Sequence, residues 1–192
     1  MATNTSNVIL ERVCWQTVLR SVRHVNSICE LGANIGLNLR SLKALLPNCK
    51  LTGVEINSKA AAELRKWGEA EVFEQSLFDF SAEREYDLTF TSGVLIHLNP
   101  HLLPKAYDIL YYSSRRFVCV SEYYNPTPVE VTYRDNKEKL FKRDFAGEML
   151  DRFPDLMLLD YGFVYHRDVF PQDDVSWFLM MKYDQEQNRR FL

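Results

Sequence analysis

The stretch Ser27-Ile28-Cys29-Glu30-Leu31-Gly32-Ala33-Asn34-Ile35-Gly36 decides the reading of this chain. A short apolar run ends in an acid, two glycines follow, and a helical pattern begins at once. A second apolar run, Leu51-Thr52-Gly53-Val54-Glu55-Ile56, carries another acid near its end. Strand, glycine turn, helix, strand, acid is how an open parallel sheet holds a nucleoside. Glycine serves the turn because the backbone must approach the ligand closely or take positive φ, where a Cβ clashes. The acid after the second strand, Glu55, reaches ribose hydroxyls. An ordinary β-turn-α connection with glycines for packing is the plainer alternative, and the second acid argues against it.

Two kinds of nucleoside ligand compete for the pattern. A dinucleotide site wants G-x-G-x-x-G, with the pyrophosphate on a helix N-terminus. Here the spacing is Glu30-x-Gly32-x-x-x-Gly36. A carboxylate two residues before the first glycine opposes a pyrophosphate and suits a cationic or amino-acid end. S-adenosylmethionine (SAM) has such an end and no phosphate. At these residues the chain resembles the class I SAM-dependent methyltransferases, whose motif is usually E/D-x-G-x-G-x-G. Asn34 stands at the middle glycine, and Asn is well suited to left-handed backbone.

The 192 residues fit one domain over 1–192 with a full core. Residues 1–23 read as a short N-terminal helical segment and 123–142 as an insertion on the substrate side. A net charge of −3 gives no global basic excess, so long nucleic-acid tracts are not expected partners. The four cysteines form no C-x-x-C pair. Scattered thiols without a signal peptide fit a reducing cytoplasm. No apolar stretch approaches the roughly 20 residues of a membrane span.

Apolar runs alternate with helical patterns along the chain. Strands are expected at 25–31, 51–56, 71–75, 86–91, 116–122, 156–165 and 176–183, with helices at 37–46, 59–67, 100–114 and 144–153. Ser58 is the expected cap of the second helix, and 123–140 reads as irregular. The fold class is α/β: a Rossmann-like, doubly wound sheet of seven strands with helices on both faces. The resemblance implies the order 3-2-1-4-5-7-6, with the last strand antiparallel.

Ligands of such sheets lie beyond the carboxyl ends of the strands. By resemblance, Glu30, Gly32, Ala33, Asn34 and Gly36 surround the methionine part of SAM, with Glu30 near its ammonium. Ile56 and Asn57 flank the adenine, and Ser76, Leu77 and Phe78 edge it. Thr91, Ser92, Gly93 and Val94 line the methionine side. His97 is a candidate base or substrate contact, or else a histidine bonded across the strand-four loop.

On the acceptor edge, Glu122 is a second base candidate. Tyr123 and Tyr124 offer donors and a stacking wall for a polar ring. Arg134, Lys139, Lys142 and Arg143 form either a clamp for a carboxylate or phosphate or a solvated loop. His166, beside Tyr165, is the third candidate base, since an imidazole titrates near neutral pH. No His/Asp/Glu cluster has metal-ligand spacing, so no metal is expected.

From Ser27 to Lys182 the chain also resembles a narrower group, the pseudaminic acid biosynthesis-associated methylases. The blocks that carry this are Glu30-Leu31-Gly32-Ala33-Asn34-Ile35-Gly36, Gly53-Val54-Glu55-Ile56-Asn57, Gly93-Val94-Leu95-Ile96-His97, Glu122-Tyr123-Tyr124-Asn125-Pro126, Lys139 to Glu148 and Asp160 to Asp168. The resemblance implies methyl transfer from SAM to a hydroxyl or amine of a small polar acceptor, such as a nucleotide-linked or acidic sugar. Members commonly have a longer segment that folds over SAM, so a more open cofactor site is expected here. A SAM-binding partner or regulatory protein without catalysis is the alternative. A nicotinamide oxidoreductase is disfavoured by the glycine spacing.

Overall fold

In the computed structural model the described residues are 14–130, 141–169, 171 and 173–183. Apolar runs with every residue buried become central strands. Ile28, Cys29 and Leu31 are fully buried in β1 (Ser27–Leu31), as are Leu88 and Phe90 in β4 (Tyr86–Ser92). The other elements are α1 (Leu37–Leu45), β2 (Lys50–Glu55), α2 (Ser58–Trp67), β3 (Glu71–Glu74), α3 (Leu103–Ser113) and β5 (Ser114–Glu122). Then follow β6 (Val129–Glu130), β7 (Phe141–Lys142), α4 (Phe145–Arg152), β8 (Leu156–Val164) and β9 (Val175–Lys182).

The seven-stranded sheet runs β3-β2-β1-β4-β5-β9-β8. Neighbours from β3 to β5 are parallel, and β9 runs antiparallel to both β5 and β8. This is the expected order, with the last strand reversed. Side chains alternate across β5, as the period of two requires. Phe117 and Cys119 join a core with Trp15, Leu39, Leu42 and Leu64, while Val118 and Val120 join one with Leu103, Leu110, Phe145 and Met149. Helices α1 and α2 therefore cover one face, and α3 and α4 the other. Burial pushes the Cys29 and Cys119 thiols far up, which leaves them as small apolar core groups.

Two local expectations change. Asn57, not Ser58, caps α2: its side chain accepts the N–H of Lys59 and of Ala60. Ser58 is already the first helical residue. The stretch 123–140 is not wholly irregular, because β6 pairs antiparallel with β7 just beyond it. Before β1, residues 14–19 are helical, and residues 1–13 lie outside the described residues.

Candidate active site

The turn after β1 is shaped by three left-handed residues, Gly32 (φ 82°), Asn34 (φ 49°) and Gly36 (φ 81°). A Cβ on Gly32 would lie 2.5 Å from Val94 Cγ2, so glycine lets the turn press against the loop after β4. A Cβ on Gly36 would lie 2.3 Å from Leu64 Cδ1, so that glycine lets α1 start against α2. Asn34 fills the middle position at low cost, and its Oδ1 accepts the N–H of Ile35 at 2.8 Å.

A cavity of about 970 Å³ opens at the carboxyl ends of β1 to β4. Its wall carries Glu30, Gly32, Ala33 and Asn34 after β1, and Glu55, Ile56 and Asn57 after β2. Ser76, Leu77 and Phe78 follow from β3, and Ser92, Gly93 and His97 from β4. Two expected cofactor residues stand off this wall. Thr91 is buried inside β4, and Gly36 does its work behind the wall against Leu64. Val94, also expected after β4, lines it too; the sequence reading missed Ile35, Leu37, Asn38, Lys59, Gln75 and Leu98. Most are chain neighbours of expected residues. Asn38 had only one signal, a polar side chain in the first turn of α1.

Two carboxylates dominate the wall. Glu30 is 1% exposed, and its Oε1 accepts from Asn38 Nδ2 at 2.7 Å. The Oδ1 of Asn38 in turn accepts the indole N–H of Trp15 at 2.9 Å. Glu55 takes the N–H of Asn34 on Oε2 at 2.8 Å and the N–H of Asn57 on Oε1 at 2.6 Å. A carboxylate has about four lone-pair sites, so Glu55 keeps acceptor capacity for a ligand hydroxyl. Ile56, 70% exposed, offers an apolar surface at the cavity lip. Ser76 fixes the next loop by accepting the N–H of Phe78.

Glu122 turns inward at the end of β5 and is 3% exposed. Its carboxylate accepts the N–H of Val94 at 3.0 Å, of Leu95 at 3.1 Å and of Ile96 at 3.4 Å. Burial raises its pKa to about 7, although those three bonds pull it down. Glu122 thus holds the turn Leu95–His97 and is not on the cavity wall. Of the three expected bases only the exposed His97 borders the cavity.

The remaining acceptor-edge residues divide. β7 packs beside the Leu95–His97 turn, and the ammonium of Lys142 sits 5.1 Å from the Tyr123 ring centroid. Tyr124 packs on Phe178, with centroids 5.6 Å apart. Arg143 is occupied: its Nε donates to Glu148 at 2.6 Å, and Glu148 also accepts the Tyr107 hydroxyl at 2.7 Å. That ion pair takes Arg143 out of the expected clamp. Arg134 and Lys139 lie outside the described residues.

His166 follows β8, the edge strand, and its Nδ1 meets the Asp174 carboxylate at 2.8 Å. Hydrogen bonds from His166 hold the Asp174 carboxyl below its ordinary range, with Lys142 adding to the effect. Tyr165 packs edge-on to His166 at 4.4 Å. At roughly 4.8 Å per strand, β8 lies about 14 Å from β4 across the sheet. His166 and Tyr165 are not on the cavity wall, and His97 is the histidine that is.

No protein-family model matches the chain, and no curated protein matches it in sequence. Solved structures do match. The 1,6-didemethyltoxoflavin-N1-methyltransferase of Burkholderia thailandensis, solved with 1,6-didemethyltoxoflavin and S-adenosylhomocysteine (SAH), has a TM-score of 0.68 at 15% identity. The match covers 93% of this chain and 79% of that one. The N-methyltransferase NodS from Bradyrhizobium japonicum WM9 has a TM-score of 0.68 at 16% identity, covering 92% of this chain and 98% of that one. The glycopeptide N-methyltransferase MtfA, solved with SAM, has a TM-score of 0.69 at 11% identity, covering 91% and 94%. The chain thus has the seven-stranded fold found in these methyltransferases.

Proposed function

We propose that this protein is a SAM-dependent methyltransferase that acts on a hydroxyl or amine of a small polar acceptor. The observation that carries the proposal is the buried Glu30 carboxylate on the cavity wall beside the glycine turn. A pyrophosphate there would meet an anion in a low-dielectric site, where like charges cost most. An ammonium gains from the same carboxylate. The methyltransferases of this fold that were solved with SAM or SAH support the same reading.

The residues present fit this ligand. Glu30 would hold the ammonium, and Glu55 would accept the ribose hydroxyls. Ile56, Leu77 and Phe78 would enclose the adenine with apolar surface, and Ser92 and Gly93 would border the methionine chain. SAM supplies a methyl group already activated on a sulfonium. The protein's share is to align the acceptor, exclude water and take up a proton. His97 is the favoured proton acceptor because it borders the cavity. Lys142, with Tyr123 and Tyr124, would receive an acidic group and a ring of the acceptor. The acceptor class, a nucleotide-linked or acidic sugar of nonulosonic (pseudaminic) acid or surface-glycan synthesis, rests on the sequence resemblance alone.

Turnover of SAM with a panel of acidic and nucleotide-linked sugars tests the proposal. His97→Ala is expected to lower kcat by roughly a hundredfold or more, the range of general-base losses, while SAH affinity stays unchanged. Turnover equal to the parent would remove His97 from the mechanism. SAH binding with no methyl transfer to any acceptor would favour a non-catalytic SAM-binding protein.

A further inference from the structure

We infer that Trp15, in the helical segment before β1, is a positioning residue that sets the charge recognition of the cavity through Asn38 and Glu30. The inference rests on the cofactor reading above, and it gives the segment before β1 a part in that site. An indole nitrogen only donates and a carboxylate only accepts. An amide between them has one workable orientation. Asn38 must turn its oxygen to Trp15 and its NH₂ to Glu30, which is the arrangement observed, at 2.9 Å and 2.7 Å. The amide orientation is thus fixed by the chemistry of its two neighbours.

The relay is anchored at its far end. Trp15 is 3% exposed, and its ring meets Phe90 edge-on with centroids 4.4 Å apart. Phe90 is the register partner of Glu30 in the β1–β4 pair. Trp15 therefore braces Glu30 twice, through the amide and through the strand beside it. Glu30 and Asn38 both line the cavity, so the indole N–H acts on the wall without touching the ligand. Without that N–H the Asn38 oxygen loses its donor, and the amide keeps only its bond to Glu30 to hold it in place.

The contrast between two ligands tests this. SAH carries an amino-acid end, and 5′-methylthioadenosine shares its adenine and ribose but lacks that end. Trp15→Phe keeps the ring on Phe90 and deletes only the N–H. Calorimetry is expected to show SAH bound roughly three- to tenfold more weakly by the variant, the worth of one ordinary hydrogen bond, with 5′-methylthioadenosine affinity unchanged. Equal weakening of both ligands, or of neither, would overturn the relay and leave the cofactor reading standing. Failure of the parent protein to bind SAH would overturn both. Should Trp15→Phe not fold, Trp15→Met, which also lacks the N–H and fills the core with an apolar side chain, is read by the same contrast.

Discussion

Glu55 accepts the backbone N–H of Asn34 and of Asn57, so one carboxylate ties the turn after β1 to the turn after β2. Glu55→Ala removes that tie along with the ribose acceptor. SAH affinity is expected to fall by about 1.5–3 kcal/mol, the worth of a hydrogen bond to a charged group; unchanged affinity would contradict the placement of the ribose. Gly32→Ala tests the turn itself. Its Cβ would crowd Val94 at a backbone φ of 82°. A stability loss of at least 1 kcal/mol in thermal unfolding is expected, from strain at a left-handed position.

Glu122 makes a pH prediction at the same scale. Burial lifts its pKa from the ordinary 4.5 to about 7 in the folded protein. The folded state therefore holds this proton more tightly than the unfolded chain does. Stability from this group is fully present below about 4.5 and is lost as pH rises through about 7, by roughly 3 kcal/mol. Urea unfolding of the parent from pH 5 to 8 should show this decline, and Glu122→Gln should flatten it. Parallel profiles would contradict the buried, raised carboxyl. Glu30, Glu55 and the two glycines were legible in the sequence because they sit at fixed offsets within one β-turn-α-β unit. The Trp15–Asn38 bond was not, because 23 residues separate its partners and no local pattern couples them. Glu122 was legible as an acid ending a strand, but not its inward turn, which the loop after β4 decides.

At the scale of elements, helix starts are set by single residues: Gly36 lets α1 begin in left-handed backbone at the cavity. Asn57 caps α2 by accepting two N–H groups, and Asp144 caps α4 by accepting the N–H of Gly147. Asn57→Ala is expected to cost about 1 kcal/mol in thermal unfolding, while Ser58→Ala leaves the cap in place. The reverse ranking would restore Ser58 as the cap. The strands were legible because central parallel strands read as unbroken apolar runs. The ends of the helix starts were less so, since Asn57 and Ser58 are both good caps and only the φ/ψ of the chain separates them. The β6–β7 pair escaped notice because two-residue strands carry no periodicity. The clamp of four cations narrowed for a similar reason: charge type is visible in sequence, but the Glu148 that engages Arg143 is recognisable only once α4 has formed.

At the scale of the molecule, the sheet order was legible only through the resemblance, and the cavity follows from the order. Ligands bind where consecutive crossovers leave a crevice at the carboxyl ends, and here β1 and β4 flank it. The same order carries β8, and with it His166, to the far edge. With Glu122 turned inward onto the loop after β4, one of three candidate bases, His97, stands on the cavity wall. Among the described residues no helix is long and apolar enough to cross a membrane, and no group of His, Cys, Asp and Glu is arranged to hold a metal ion.

The central claim is that the cavity holds a nucleoside with a cationic amino-acid end. Calorimetric titration of the protein with SAH, with NADH as the control, tests it most directly. The account predicts saturable SAH binding in the micromolar range and no heat from NADH. Binding of NADH in place of SAH would contradict it.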